Sequence, residues 1–361
     1  MGYDASVWTR SLERGYTRRG LVRGGLAAAG LAGLTALGCR SSSTAKTGSA
    51  ATAAPVEPVK LTVSWTGIAQ EGALYSAIDQ GIFKKNGLDL NLVQIPGTNA
   101  VAALLSGQVQ VIGCGGGEVV ASAAAGSDAV AVVVQTPVFT GDLYVTPEIK
   151  SPADLKGKKV GIALPGGTSD QTLRLALQHF GLVPDKDVTF ISTGSIENQA
   201  AALLSGAIQG TNVTPGPNSV KLEAQGVKPL VNFATIGLPP AAIVVIAMKR
   251  SFITSRPDIA QRYIDSIVEG TVAFRRNRAL GLKQIGTILK SDDQVGIAAA
   301  YDYVNTDVIM PLDTTPKAEL FKPLQDTLCN SRKIEAACSM DLSKVIEASL
   351  VQSSVKKGLA K

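Results

Sequence analysis

The chain has 361 residues, 45% hydrophobic and 18% charged, with 35 Lys and Arg against 29 Asp and Glu and a single His. That composition is globular, and it lacks the basic blocks with interleaved aromatics that mark nucleic-acid binders. The formal charge of +6 falls to +3 once residues 1–38, which hold five arginines and two acids, are set aside, so the basic balance belongs largely to the N-terminus.

That N-terminus reads as an address. Thr17-Arg18-Arg19-Gly20-Leu21-Val22-Arg23 resembles a twin-arginine export motif, and the Ala/Gly/Leu-rich stretch 24–38 is too short and too weakly apolar for a stable membrane span. Ala36-Leu37-Gly38-Cys39 resembles a lipobox, which makes Cys39 the expected lipidated residue of an extracytoplasmic membrane lipoprotein. Residues 39–58 are rich in Ser, Thr, Ala and Pro and suit a disordered tether. Beyond them no run of 18 apolar residues lacks a charge or breaker, so no spanning helix is expected.

A strand over 60–65 opens the folded part, followed by the loop Thr66-Gly67-Ile68-Ala69-Gln70 and a helix over 73–80. A strand over 88–95, a helix over 99–106 and a strand over 109–113 come next. Gly115-Gly116-Gly117 then opens a helix over 118–125, matching no phosphate-loop pattern because no Gly-Lys-Ser/Thr follows. The β-branched run 129–135 has the character of a parallel strand buried on both faces. Thr136-Pro137 ends it, and Leu143-Tyr144-Val145 reads as a strand crossing to a second lobe.

A repeat organises the whole. Ala102-Ala103-Leu104-Leu105-Ser106-Gly107 recurs as Ala201-Ala202-Leu203-Leu204-Ser205-Gly206, 99 positions on, and each copy reads as a last helical turn stopped by a C-cap glycine. The same offset carries 61–65 onto 160–164, Gly67 onto Gly166, and 90–93 onto 189–192. Two tandem strand-helix-strand-helix-strand units follow, too long a period for a solenoid. Each unit is an α/β lobe.

The segment Ile149 to Ile162 (IKSPADLKGKKVGI), then GGTSD from Gly166 and GLVPDKDVTFI from Gly181, together with YSAIDQGIFKKNGLDL from Tyr75, resembles solute-binding proteins of ABC importers. Within these it is similar to the nitrate/sulfonate/taurine and thiamine-precursor (pyrimidine) branch, over residues 60 to about 303. The resemblance implies a type II periplasmic-binding-protein fold: two Rossmann-like lobes, a hinge and an interlobe cleft. Lobe I is expected over 59–145 plus 240–361, and lobe II over 146–239. It also implies ABC permease and ATPase partners, a monomer, no nucleic acid and no cofactor. The ligand would be a sulfonate, nitrate, a taurine-like solute or a pyrimidine.

In an open parallel α/β sheet the binding crevice lies at the C-terminal ends of the strands. Candidate contacts by that rule are Trp65, Thr66, Gly67, Gln70, Gly115, Gly116 and Thr136 in the first lobe, and Gly167, Thr168, Ser169, Asp170, Thr193 and Thr214 in the second. Gly167-Thr168-Ser169 falls at a helix N-terminus, where unpaired N–H groups favour an anion or an acceptor oxygen. The alternative stands beside it: Thr168 or Ser169 caps the helix, and Asp170 pairs with Arg174 four residues on. Asp170 opposes an anion unless Arg174 neutralises it.

The region from 256 is helical, with Pro257 at N1 and apolar Ile259, Tyr263, Ile264, Ile267, Val268 and Phe274 at helical spacing. Helices over 280–289 and 293–301 are expected against the first lobe, and the polar stretch after 316 carries no pattern. Cys329 and Cys338 suit a disulfide in an oxidising compartment. Cys114 reads as a packed apolar group and His179 as a last-turn cation, so no nucleophile–base pair, metal site or catalytic residue is legible. Two alternatives to a transport protein remain: an enzyme on the same fold, of the pyrimidine-precursor synthase or desulfinase type, or a non-transporting sensor.

Overall fold

The computed structural model describes residues 58–95, 97–331 and 334–361, all within one compact unit spanning 54–361. The export signal, Cys39 and nearly all of the tether lie outside the described residues. The first lobe opens with β1 (Val59–Trp65), α1 (Gly72–Asp79), β2 (Leu88–Gln94), α2 (Gly97–Ser106), β3 (Val111–Cys114), α3 (Gly116–Ala124) and β4 (Ala129–Thr136). The chain then crosses through β5 (Asp142–Val145). The second lobe runs β6 (Lys159–Ile162), α4 (Thr168–His179), β7 (Thr189–Ser192), α5 (Ile196–Leu204), β8 (Gly210–Val213), α6 (Pro217–Ala224) and β9 (Pro229–Asn232). It returns through β10 (Val244–Lys249) to the helices α7 (Pro257–Arg276), α8 (Arg278–Leu289), α9 (Gln294–Val304) and α10 (Ser349–Lys356).

The offset of 99 is a structural period. One sheet has the order β2-β1-β3-β10-β4 and the other β7-β6-β8-β5-β9, so equivalent strands occupy equivalent places. The repeated phrase makes the same contacts twice. Gly107 and Gly206 both take left-handed backbone, at φ of 80° and 73°, where a side chain would be strained. Ser106 and Ser205 donate to the carbonyls of Ala103 and Ala202 at 3.0 and 3.1 Å. Gln110 Oε1 accepts from Thr62 N–H at 2.9 Å, and Gln209 Oε1 accepts from Lys159 N–H at 3.1 Å, each glutamine tying its helix end to the first strand of its own lobe.

Each sheet is completed by a strand sent from the other side. β5 lies antiparallel between β8 and β9, and β10 lies antiparallel between β3 and β4. The expected first-lobe boundary at 145 therefore moves: residues 142–145 belong to the second sheet, because their ladder partners are there. β4 also departs from expectation. It is buried throughout, yet it is not a parallel strand, and among sheet strands it pairs with β10 alone. Its outer edge is covered from the C-terminal region, where Val134 N–H donates to Thr314 O and Glu347 N–H donates to Ala131 O, both at 2.9 Å. Segments around 314 and 347 thus shield an otherwise open sheet edge.

The apolar face of α7 packs as its spacing predicts, with Ile259, Tyr263, Ile264, Ile267, Val268 and Phe274 all buried. Truncating one of these, such as Ile267→Ala, is expected to cost about 2–5 kcal/mol. α9 packs on the first lobe and also reaches the second, where Gly296 lies against Pro217 at the start of α6. Cys329 and Cys338 are bonded, with Cα atoms 5.0 Å apart. No helix of the described residues is long and apolar enough to cross a membrane.

Candidate ligand cleft

The loops after β1, β3, β6 and β8 lie at the C-terminal strand ends, and those after β3 and β6 meet across the lobes. The place where Gly115 would carry a Cβ lies 2.9 Å from Thr168 Oγ1, and Gly117 leaves no room for a side chain because Gln171 of α4 presses against it. The N-termini of α3 and α4 therefore face one another directly. Of the candidate contacts, Gly115 and Thr168 are brought together across the lobes.

The loop after β1 folds around an acid that is not among the candidate contacts. Glu71 accepts from Thr66 N–H (2.7 Å), Thr66 Oγ1 (3.0 Å), Gly67 N–H (2.8 Å) and Ile68 N–H (3.1 Å). Three successive N–H groups make a nest for an anion, and the chain's own carboxylate fills it. The equivalent loop of the second lobe repeats the device 99 residues on: Gly166 N–H donates to Asp170 Oδ2 at 2.6 Å, and Gly67 and Gly166 both have positive φ. At α3, Gly115 N–H donates to Glu118 Oε2 at 2.6 Å, and Gly116 N–H donates to Ala242 O at 3.0 Å. Glu118, three residues after Gly115, and Glu71, three after Ile68, each supply the acid half of a capping box; with Gly and Ile at the N-cap, the Ser/Thr half of the sequence signature is missing.

The other candidates are placed as follows. Trp65 packs edge-on to Tyr75, with centroids 5.5 Å apart, and Lys290 Nζ lies 6.0 Å from its ring centroid. Gln70 is buried, and its carbonyl accepts from Gln135 Nε2 at 3.3 Å. Thr136 is fully buried and its Oγ1 has no partner. Ser169 Oγ accepts from Ala163 N–H at 3.0 Å, and Thr193 Oγ1 donates to Ser195 O at 2.8 Å, so both hydroxyls serve their own loops. Asp170 is fully buried and ion-paired to Arg174 Nε at 2.6 Å; the guanidinium forks onward to Asp185 and lies 4.2 Å over the Phe190 ring. Gly167 is the N-cap of α4, with no side-chain cap, and Thr214 follows β8 in the second lobe.

Where the crossing segments run, Asp142 accepts from Asn232 Nδ2 at 2.6 Å, Asn212 Nδ2 donates to Thr140 O at 3.1 Å, and Gly141 N–H donates to Tyr303 Oη at 2.7 Å. Burial raises the Glu71 carboxyl above its ordinary range despite its four donors, pushes Glu118 up to about 7, and pushes Asp142 up to about 6 against the lowering effect of Asn232. Burial, followed by the charge of Glu118, raises the Cys114 thiol well above its usual value, which leaves it a poor nucleophile. His179 ends α4, edge-on to Phe180 at 5.3 Å and at the opposite end of the helix from Thr168. Among the described residues no group of three or more His, Cys, Asp or Glu is arranged to hold a metal ion.

An open groove of about 920 Å³ lies elsewhere, lined by Pro137, Pro239 and Pro240 of the crossing segments, by Leu175, and by 307–326. Beside Glu71 there is a cavity of only about 10 Å³, bordered by Ser64, Gly113, Gln135 and Tyr263.

Two sheets of matching order, exchanged through two crossings with helix N-termini meeting between them, define a two-lobed periplasmic-binding-protein fold. The NMT1/THI5-like family profile matches residues 69–278, more than half of the sequence, and the chain belongs to that family. The fold is similar to that of the periplasmic aliphatic sulphonate binding protein SsuA from Escherichia coli, at 21% identity and TM-score 0.66 over 81% of this chain and 92% of that one. It is also similar to the periplasmic nitrate-binding protein NrtA from Synechocystis PCC 6803, at 15% identity and TM-score 0.66 over 83% and 89%. A DSZB mutant in complex with biphenyl-2-sulfinic acid shares it at 16% identity and TM-score 0.58, over 82% and 99%. No curated protein matches the sequence.

Proposed function

We propose that this chain is the solute-binding component of an ABC importer, exported through its twin-arginine signal and anchored by lipid at Cys39. It captures a small solute between the lobes, closes about a hinge in the crossing segments, and presents the closed form to a permease. The observation that carries this reading is the meeting of Gly115 with Thr168 and of Gly117 with Gln171, which puts two helix N-termini from different lobes at one place. The family membership and the names of the sulfonate- and nitrate-binding neighbours support it. Trp65, Thr66, Gly67 and Gln70 line the first-lobe side in this reading, and Gly167, Thr168, Thr193 and Thr214 the second.

The test is a thermal-shift screen of small solutes combined with solution scattering. A ligand at a hundred times its Kd is expected to stabilise by about 2.7 kcal/mol and to reduce the radius of gyration. A bound solute that neither changes the radius nor loses affinity in Gly167→Val overturns the cleft as its site. The desulfinase-type alternative predicts a turnover dependent on Cys114. The buried, raised thiol argues against it.

A further inference from the structure

The lobes approach one another differently on the two sides of the cleft. On one side Gly115 and Thr168 meet directly. The period of 99 makes Ala69 the first-lobe equivalent of Thr168, and Thr214 the second-lobe equivalent of Gly115. The duplicated lobes therefore have a matching second place of approach, between the loops after β1 and β8. There α9 stands between them. On its first-lobe side, Ile297 and Ala300 are buried in one apolar cluster with Ala69. On its second-lobe side, a Cβ at Gly216 would lie 3.6 Å from the Ala300 Cβ, and a Cβ at Gly296 would lie 2.6 Å from Pro217 Cα and 2.7 Å from Pro217 N.

α9 is fixed to the first lobe. Ile297, Tyr301 and Val304 are buried with Phe274 of α7 and Ile285 of α8, and Tyr303 Oη accepts from Gly141 N–H of the crossing segment at 2.7 Å. The helix thus runs from the crossings to the start of α6, and Tyr303 and Gly296 are about 10 Å apart along its axis. At Gly296 the chain forgoes the better helix former, Ala, and what it gains is close approach of two backbones. Asp293 Oδ2 also lies 2.7 Å from that Cβ position, but it is the tip of a side chain and can swing aside; the backbone of Pro217 cannot.

We propose that α9 is a spacer between the lobes and that the contact of Gly296 with Pro217 is the stop that sets how far they close. This rests on the reading of the lobes as rotating about the crossing segments. The loops after β1 and β8 both stand at C-terminal strand ends, so a rotation that opens the cleft parts α9 from α6. The reverse rotation ends when the Gly296 backbone reaches Pro217. The depth of closure, and with it the size of solute that both lobes touch at once, is then set by a helix outside the two repeated units.

The test measures lobe separation in the full chain carrying Cys39→Ser, with spin labels at Lys84→Cys in the first lobe and Lys186→Cys in the second, both exposed positions. Cys114 is buried and Cys329 is bonded to Cys338, so the labels go to those two sites. No solute is added. Relaxing a 2.6 Å approach to an ordinary carbon contact takes about 1 Å. Gly296→Ala is therefore expected to lengthen the distance between the labels by about 1 Å or more, and Gly296→Leu to lengthen it further, with the radius of gyration rising in the same order. Asp293→Ala removes the acceptor that Val295 N–H and Gly296 N–H share, each at 3.1 Å, and adds nothing at the contact; it is expected to lower the thermal midpoint and leave the distance at the wild-type value. An unchanged distance in both Gly296 variants overturns the proposal. An equal lengthening in Asp293→Ala also overturns it, because opening would then follow from a disturbed helix start. Loss of the native circular dichroism in Gly296→Ala does the same, since a stop between the lobes leaves each core intact. Because no solute takes part, a failure of every solute to bind leaves the stop standing, and an unmoved distance removes the stop while the cleft remains the solute site.

Discussion

Asp170 and Arg174 pose a sharp choice between a ligand site and a structural one, and Arg174→Met decides it. The arginine is 4% exposed and reaches three groups: Asp170 at 2.6 Å, Asp185 through a two-pronged contact, and the face of Phe190. Methionine keeps much of the apolar stem and its packing but removes the charge. Asp170, fully buried, then loses its cation while still accepting from Gly166 N–H. Breaking a buried pair from one side typically costs about 3–5 kcal/mol. At roughly 2–4 °C per kcal/mol for a domain of this size class, Tm is expected to fall by about 6–20 °C. Urea unfolding of wild type, Arg174→Met, Asp170→Asn and the double variant forms the cycle. The double variant should recover a substantial part of the loss, since no buried charge is then left alone. A decrease below 1 kcal/mol in Arg174→Met, or a double variant as unstable as the sum of the singles, would refute the claim that the pair is a coupled buried unit. Loss of ligand affinity in Asp170→Asn without loss of stability would reinstate Asp170 as a direct contact.

Three further expectations follow from the same structure. Glu118 and Asp142 have carboxyls raised by burial to about 7 and about 6, so the stability they contribute is complete below their unfolded values of 4.5 and 3.8 and is lost as pH rises through about 6 to 7; Glu71 is raised in the same direction. For Glu118 alone this is on the order of 3 kcal/mol, so the urea midpoint of the unliganded protein should be lower at pH 8 than at pH 5.5; a rise would overturn the assignment. Cys114→Ser, at a site 5% exposed in the sheet core, should lower stability by about 1–3 kcal/mol and leave ligand affinity unchanged, while loss of a turnover would favour an enzyme. Cys39→Ser should move the protein from the membrane fraction to the soluble one, and Arg18-Arg19→Lys-Lys should impair export; a mature N-terminus mapped away from Cys39 contradicts lipidation.

Much of the architecture was legible because its signals are local and were written twice. Gly107 and Gly206 stop their helices for the same steric reason, and the flanking apolar runs have the same period in both copies. β4 was misread because Val130 to Val134 report burial but not pairing direction, and burial came from the C-terminal region rather than from a second parallel neighbour. The lobe assignment of β5 had no local signature either, since nothing in Asp142-Leu143-Tyr144-Val145 names its ladder partners. In the cleft, attention to Gly, Ser and Thr as donors hid the acids that those donors already serve. Glu71 and Glu118 stand at capping spacing, but behind Ile68 and Gly115 rather than Ser or Thr, so half of the local signal is missing; Asp142 depends on Asn232, 90 positions away.

The exchange of strands has a mechanical consequence. β5 and β10 each have neighbours on both sides in the receiving sheet, so the lobes cannot separate by peeling a strand without breaking two ladders. Motion must be taken up in 137–141 and 233–243. Those segments are not independent: Ala241 N–H donates to Pro137 O at 2.8 Å, and Phe233 N–H donates to Gly141 O at 3.0 Å. Pro137, Pro239 and Pro240 further limit the available backbone angles. In the proposed closure the two crossings therefore act as a paired, stiff strap, which favours rotation of whole lobes over local unfolding. A rotation of that kind parts Gly115 from Thr168 and Gly117 from Gln171 together, while each buried acid stays with the loop that holds it. Glu118 travels with α3 of the first lobe, whereas the ladder of Asp142 lies in the second sheet.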